Sequence, residues 1–230
     1  MLAPTPLFSL GRGGHEEICV FGELAFLHGG EAQSSSDGRS RLPARSLLKP
    51  FQFLATGIAA SGRVPPERAF ALGSISGHAA QLDEIERDTR SSPLLAQLLL
   101  PEAWPLGTES RALRIASGAG PARLCHPCYS KHLAILAACQ AHGWPLDSYT
   151  SSAHPFHARL LELLGALLER PGSAFDVVTD GCRLPTPLLE PIELARLYRA
   201  LAAAPAGSEL GAVRQAMLDH PERIGGPERF

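Results

Sequence analysis

Lysine is almost missing from this chain, which carries 19 arginines but only Lys49 and Lys131. No Lys/Arg-rich run is present and the formal charge is only -2, so the electrostatic footprint of a nucleic-acid or anionic-membrane binder is lacking. Long apolar runs are missing too. Residues 94–100 are apolar but short and flanked by Pro93 and Pro101, which excludes a membrane span there. Residues 1–10 have neither a basic start nor an apolar stretch of signal length. The five cysteines, Cys19, Cys125, Cys128, Cys139 and Cys182, are an odd set that cannot all pair internally, and they are expected as reduced thiols of a cytoplasmic protein. A small molecule or another protein is left as the partner.

What is there suffices for one globular domain spanning 1–230, with 45% hydrophobic and 19% charged residues. Residues 18–27 read as a strand, and 69–76 as another ending in small residues. Residues 33–40 are a polar loop. A helix is predicted over 46–60, with Pro50 in its first turn. Further helices are predicted over 83–90, 93–100, 131–142, 155–170, 191–204 and 210–220, with Gly143 ending the fourth of these seven. The β-branched stretch 176–179 reads as a strand delivering Asp180, Gly181 and Cys182 to its end. Residues 225–230 read as a loop. Strands mixed with many helices place the chain in the α/β (α+β) class.

The scarce lysines matter because arginine holds its charge permanently, whereas a desolvated lysine can lose its proton and act as a base or ligand. Lys49 closes Ser46-Leu47-Leu48-Lys49-Pro50, a Ser-x-x-Lys at a helix start. Residues three apart share a helix face, so a neutral Lys49 amine can take the Ser46 proton. Positive potential at the helix start favours a developing negative oxygen. Lys131 follows Cys125-His126-Pro127-Cys128, where thiolates and an imidazole suggest metal or redox chemistry. No second C-x-x-C exists, so a local four-cysteine zinc site is excluded. Cys182 could add a distant sulfur. Gly118 to Gly120 lack the spacing and lysine of a phosphate loop. Trp104 and Trp144 read as packing residues; His15, His28, His142, His154 and His157 read as structural.

The order of these motifs carries more than any one of them. Arg12-Gly13-Gly14, Ser46 to Pro50, Ser76 with His78, Cys125 to His132, His154-Pro155, Thr179-Asp180-Gly181-Cys182 with Leu184-Pro185-Thr186-Pro187, and His220-Pro221 follow in sequence. The series resembles the thermolabile, rhizobial-type (class 3) L-asparaginase family. The resemblance implies a mixed central sheet flanked by helices, similar to the serine β-lactamase and glutaminase scaffold. It also implies hydrolysis of L-asparagine to L-aspartate and ammonia, with a zinc ion near the site. By motif position, Ser46 would be the nucleophile, Lys49 its base and Ser76 a second active-site serine. Asp180, with Arg45 and His78, would bind substrate. Cys128, Lys131 and Cys182 would hold the zinc, a role that needs a neutral Lys131 amine.

The sequence departs from the family pattern at several points. Pro127, Tyr129 and Ser130 replace Asn, Ser and Gly around the cysteines; Gly77 intervenes before His78; Gln81 stands for a Glu, His157 for a Gln and Arg183 for an Asn. The family's C-terminal part, with its glycine-rich segments and a further lysine, is expected to be absent, and an unpaired sheet edge could then be met by homo-oligomerisation. The alternatives are a non-catalytic zinc or small-molecule binding protein derived from the family, and a different serine acyl hydrolase.

Overall fold

The computed structural model describes residues 5–35, 40–62 and 64–226. The chain opens with two antiparallel hairpins, β1 (Thr5–Arg12) with β2 (His15–Gly22), then β3 (Ala25–His28) with β4 (Glu31–Ser34). Each turn is two glycines, Gly13-Gly14 and Gly29-Gly30, all at positive φ, as a two-residue hairpin turn requires. The strand predicted over 18–27 is therefore broken at Glu23-Leu24, where one hairpin ends and the next begins. Gln33 and Ser34, predicted as loop, lie in β4; the rest of that prediction falls largely on residues 36–39, outside the described set.

A two-residue strand, β5 (Leu42–Pro43), leads into a 3-10 turn over Arg45–Leu48 and then α1 (Lys49–Ala55). The helix predicted from Ser46 thus starts one turn later. Pro50 sits in its first turn, as expected, and every residue of α1 is buried. After it come α2 (Ala79–Thr89), α3 (Thr108–Ala116), α4 (Tyr129–His142) and α5 (Pro155–Leu168). Gly143, at φ 69°, ends α4 as predicted. Residues 93–97 are a 3-10 turn, not a regular helix.

The segment 69–76 is not a strand. Pro66–Ala71 forms a 3-10 helix and the chain then runs irregularly to α2. Ala69, Phe70, Ala71 and Leu72 are all buried, and burial on every side removes the alternation that distinguishes a strand.

The third sheet combines β5 with β6 (Val177–Thr179) and β7 (Pro185–Leu189), in the antiparallel order β5-β7-β6. β7 carries two prolines in a central position, which sequence rules disfavour. Leu188 N–H donates to Asp176 O on the β6 side. Neighbouring residues of a strand direct their N–H groups oppositely, so the donors missing at Pro185 and Pro187 would have faced the short β5. The chain closes with α6 (Pro191–Ala203), α7 (Glu209–Asp219) and α8 (Pro221–Gly225). The last of these covers 225, which was predicted as loop; 227–230 lie outside the described residues. The mixed α/β class is as expected, and its sheets are small and antiparallel.

The core forms around α1, which packs against α4, α5 and α7. Phe51, Phe53, Ile135, Leu136, Phe156, Leu160 and Leu164 are almost fully buried there. Each such side chain contributes about 1.5–3 kcal/mol by leaving water, which anchors α1 firmly enough to hold a lysine in the interior.

His157 of α5 is also interior, 2% exposed, and its Nε2–H donates to Tyr149 O at 2.9 Å. Burial lowers its pKa from 6.5 to about 4. The unfolded chain therefore takes up a proton near pH 6.5 that the folded chain refuses until about pH 4, so stability falls as pH drops through this window. The expected loss between pH 7 and pH 4 is about 3 kcal/mol from this one group. Urea unfolding of wild type and His157→Gln at both pH values checks it. The substitution should shrink the acid-induced loss by about that amount, and an unchanged loss would contradict the assignment.

Candidate active site

The 3-10 turn before α1 is held by β7 and α6. Arg45 N–H donates to Thr186 Oγ1 of β7 at 3.3 Å, Ala44 N–H donates to Pro187 O at 3.2 Å, and the Tyr198 hydroxyl of α6 donates to Leu47 O at 2.9 Å. Arg45 is held at φ 48°, a left-handed conformation unusual for a residue with a side chain. Such strain costs about 1–3 kcal/mol and is concentrated at functional sites. It delivers Ser46 to the mouth of a cleft of about 570 Å³, whose walls include Leu47, Ser74, Leu106, His126, Cys128 and Asp180.

Behind Ser46, Lys49 is completely buried. Its Nζ donates to Gly73 O at 2.7 Å, to Ser74 Oγ at 2.9 Å and to Pro127 O at 2.7 Å. Burial lowers its pKa to about 8. Ser46 and Lys49 do not bond directly, contrary to the simple i, i+3 reading. Ser74 stands between them, its Oγ 3.0 Å from Ser46 Oγ. A hydroxyl can donate and accept at once, so the three groups form a continuous proton path.

Ser76, predicted as the second serine, faces elsewhere. Its hydroxyl donates to Gln81 Oε1 at 3.2 Å, alongside Gly77 N–H at 3.0 Å, and Gln81 Nε2 in turn donates to Arg223 O at 3.1 Å. That network clamps the segment against α8. Gly73-Ser74-Ile75-Ser76-Gly77 offers two serines two residues apart, and only the fold decides between them. His78 also leaves the site; it precedes α2 and lines a separate depression with Leu82, Pro105 and Leu113.

The predicted metal residues do converge. Cys128 caps the N-terminus of α4, Lys131 lies in its first turn, and Cys182 arrives from the turn after β6. Lys131 Nζ is 3.5 Å from Cys182 Sγ. The two sulfurs lie within hydrogen-bonding reach of each other. The hydrogen bond from Cys182 pulls the Cys128 pKa far down, helped by His126, Lys131 and Lys49, while the same bond and burial push Cys182 far up. Asp180 is 3.9 Å from Cys182 Sγ through Oδ2, accepts Gly181 N–H at 2.7 Å, and pairs with Arg45 Nε at 3.3 Å. Among the described residues, no three His, Cys, Asp or Glu side chains gather as a metal site.

Another depression, about 520 Å³, lies between the β3–β4 hairpin and helices α5 and α6, but its lining has no serine, cysteine or lysine. The chemistry of the chain is gathered at the Ser46 cleft. Comparison with known families matches residues 9–230 to L-asparaginase II. The chain belongs to the L-asparaginase II family. No curated protein matches it. Membership makes it an asparaginase-like amidohydrolase acting on small amides. No helix among the described residues of this family member is long and apolar enough to cross a membrane.

Proposed function

We propose that this cytoplasmic member of the asparaginase family, read as one domain over 1–230, hydrolyses L-asparagine to L-aspartate and ammonia through an acyl-enzyme on Ser46. The observation that carries the proposal is the Ser46–Ser74–Lys49 chain, with contacts of 3.0 and 2.9 Å, opening into the cleft. With Lys49 neutral, its lone pair faces Ser74 Oγ. Ser46 Oγ attacks the side-chain amide carbon while its proton passes to Ser74 and the Ser74 proton passes to Lys49. The tetrahedral adduct collapses as the C–N bond breaks, and the proton returns along the same path to the departing ammonia. Water then attacks the ester, gives a proton to the path, and the freed Ser46 oxygen recovers it. Asp180 accepts the substrate's ammonium group, in partial competition with Arg45.

Zinc, which the resemblance implies, suits the donors present: two cysteine sulfurs, which bind zinc once deprotonated, and an amine 3.5 Å from one of them. Cys128, Lys131 and Cys182 would hold it, where it would supply positive charge beside the cleft. Metal analysis of purified protein should give about one zinc per chain, falling sharply in the Cys128→Ala, Cys182→Ala double variant. Stoichiometric zinc retained in that variant would remove the ligand set. The hydrolase reading is tested by ammonia release from L-asparagine with matching aspartate formation; no release by folded wild-type protein would sink it.

A further inference from the structure

The depression between the β3–β4 hairpin and helices α5 and α6 takes no part in the chemistry above and shares no lining residue with the Ser46 cleft. It exists because the surfaces that face each other carry small residues. β3 packs against α6, yet Ala32 on the hairpin and Ala200 and Ala203 on the helix cannot fill the space between them. A Cβ placed on Gly30, in the hairpin turn, would meet nothing within 4 Å. Packed elements normally interdigitate to the density of an organic crystal, so a hollow of about 520 Å³ between them is an exception. Its volume is that of a small-molecule site.

The lining combines two kinds of surface. Leu27 of β3 and Leu167 of α5 supply apolar wall. Arg196 and Arg199, three apart on α6 and so on one helix face, supply two cations. Neither guanidinium makes a hydrogen bond or ion pair with a described residue. Glu169, the one carboxylate among the described lining residues, pairs with neither, and two guanidiniums against one carboxylate leave the lining net positive. A guanidinium offers a planar fork of donors that matches a carboxylate. We infer that this depression is a binding site for a small carboxylate with an apolar body, its charged end held by Arg196 and Arg199 and its body by the leucines. The site is independent of the hydrolase reading, since it uses no residue of the Ser46 cleft.

The rival is a pair of solvated arginines beside a hollow that holds only water. Phenylacetate is the probe, with 2-phenylethanol as its uncharged counterpart and acetate as its charged end alone, each titrated against the full chain by ligand-observed NMR. Two variants separate charge from shape. The Arg196→Gln, Arg199→Gln double variant removes both cations and keeps the hollow. Ala200→Phe keeps both cations and takes up part of the hollow. The two arginines are exposed and Ala200 is half-buried, so the folds should survive, which urea unfolding checks.

Wild-type protein should bind phenylacetate with a Kd of about 1 mM or lower, and at least about tenfold more tightly than 2-phenylethanol or acetate. The double variant should lose about tenfold in phenylacetate affinity, the scale for losing hydrogen bonds to a charged group, and with it the preference over 2-phenylethanol. Ala200→Phe should weaken phenylacetate by a similar factor. No phenylacetate binding by the wild type, binding of 2-phenylethanol or acetate as tight as that of phenylacetate, or undiminished phenylacetate binding in either variant would each overturn the inference. Binding that follows the expected pattern in protein that releases no ammonia from asparagine would support this site and overturn the hydrolase reading alone.

Discussion

Ser46→Ala should lower kcat for asparagine hydrolysis by about a thousandfold or more while leaving the fold intact. The first half follows from covalent chemistry: without the hydroxyl no ester can form, and residual activity must come from binding and polarisation alone. A thousandfold is about 4 kcal/mol of transition-state stabilisation, a scale that loss of one ordinary contact does not reach. The second half follows from position. Ser46 is exposed on its 3-10 turn, and its recorded side-chain partner is Ser74 at 3.0 Å. Removing an exposed hydroxyl shifts stability by no more than about 0.5 kcal/mol. Steady-state kinetics and urea unfolding on the same preparation check both, and wild-type-like kcat in a folded Ser46→Ala protein would end the nucleophile assignment.

Lys49→Arg should be as damaging to catalysis, and it should also destabilise. Arginine keeps a cation but never gives up its proton at workable pH, so the path from Ser46 through Ser74 loses its terminus. A planar guanidinium must also fit a fully buried pocket in which a tetrahedral ammonium reaches Gly73 O, Ser74 Oγ and Pro127 O at 2.7 to 2.9 Å. Overpacking there costs about 1–3 kcal/mol. Lys49→Met reports the opposite error, leaving the Gly73 and Pro127 carbonyls unpaired at about 1–3 kcal/mol each. If Lys49 were only a structural tie, activity per folded molecule would survive in both variants. The expected result is a loss of about a thousandfold in each after correction for the folded fraction.

The parts of the site legible in the sequence are those set by local spacing. Ser46 and Lys49 lie on one turn, and Cys128 and Lys131 lie at one helix start, so their proximity follows from helical geometry once α1 and α4 are recognised. The motif order brought Cys182 and Asp180 to them across the fold. What the sequence hid were choices made by tertiary packing. Whether Ser74 or Ser76 faces Lys49 depends on the irregular backbone after Leu72, and on the Gln81 and Arg223 contacts that turn Ser76 away. β7 was hidden by Pro185 and Pro187, whose missing donors matter little because the strand on that side has only two residues. His126 was grouped with the cysteines as a metal-type residue, and the fold turns its Nδ1 to the backbone N–H of Cys128.

The central claim is that asparagine passes through an ester on Ser46, and hydroxylamine tests it most directly. As a stronger nucleophile than water, it should divert the acyl group, so that wild-type protein with L-asparagine and hydroxylamine forms aspartyl hydroxamate while ammonia release continues. Ser46→Ala should form none. Ammonia release by the wild type with no hydroxamate at saturating hydroxylamine, or equal hydroxamate from Ser46→Ala, would contradict the account.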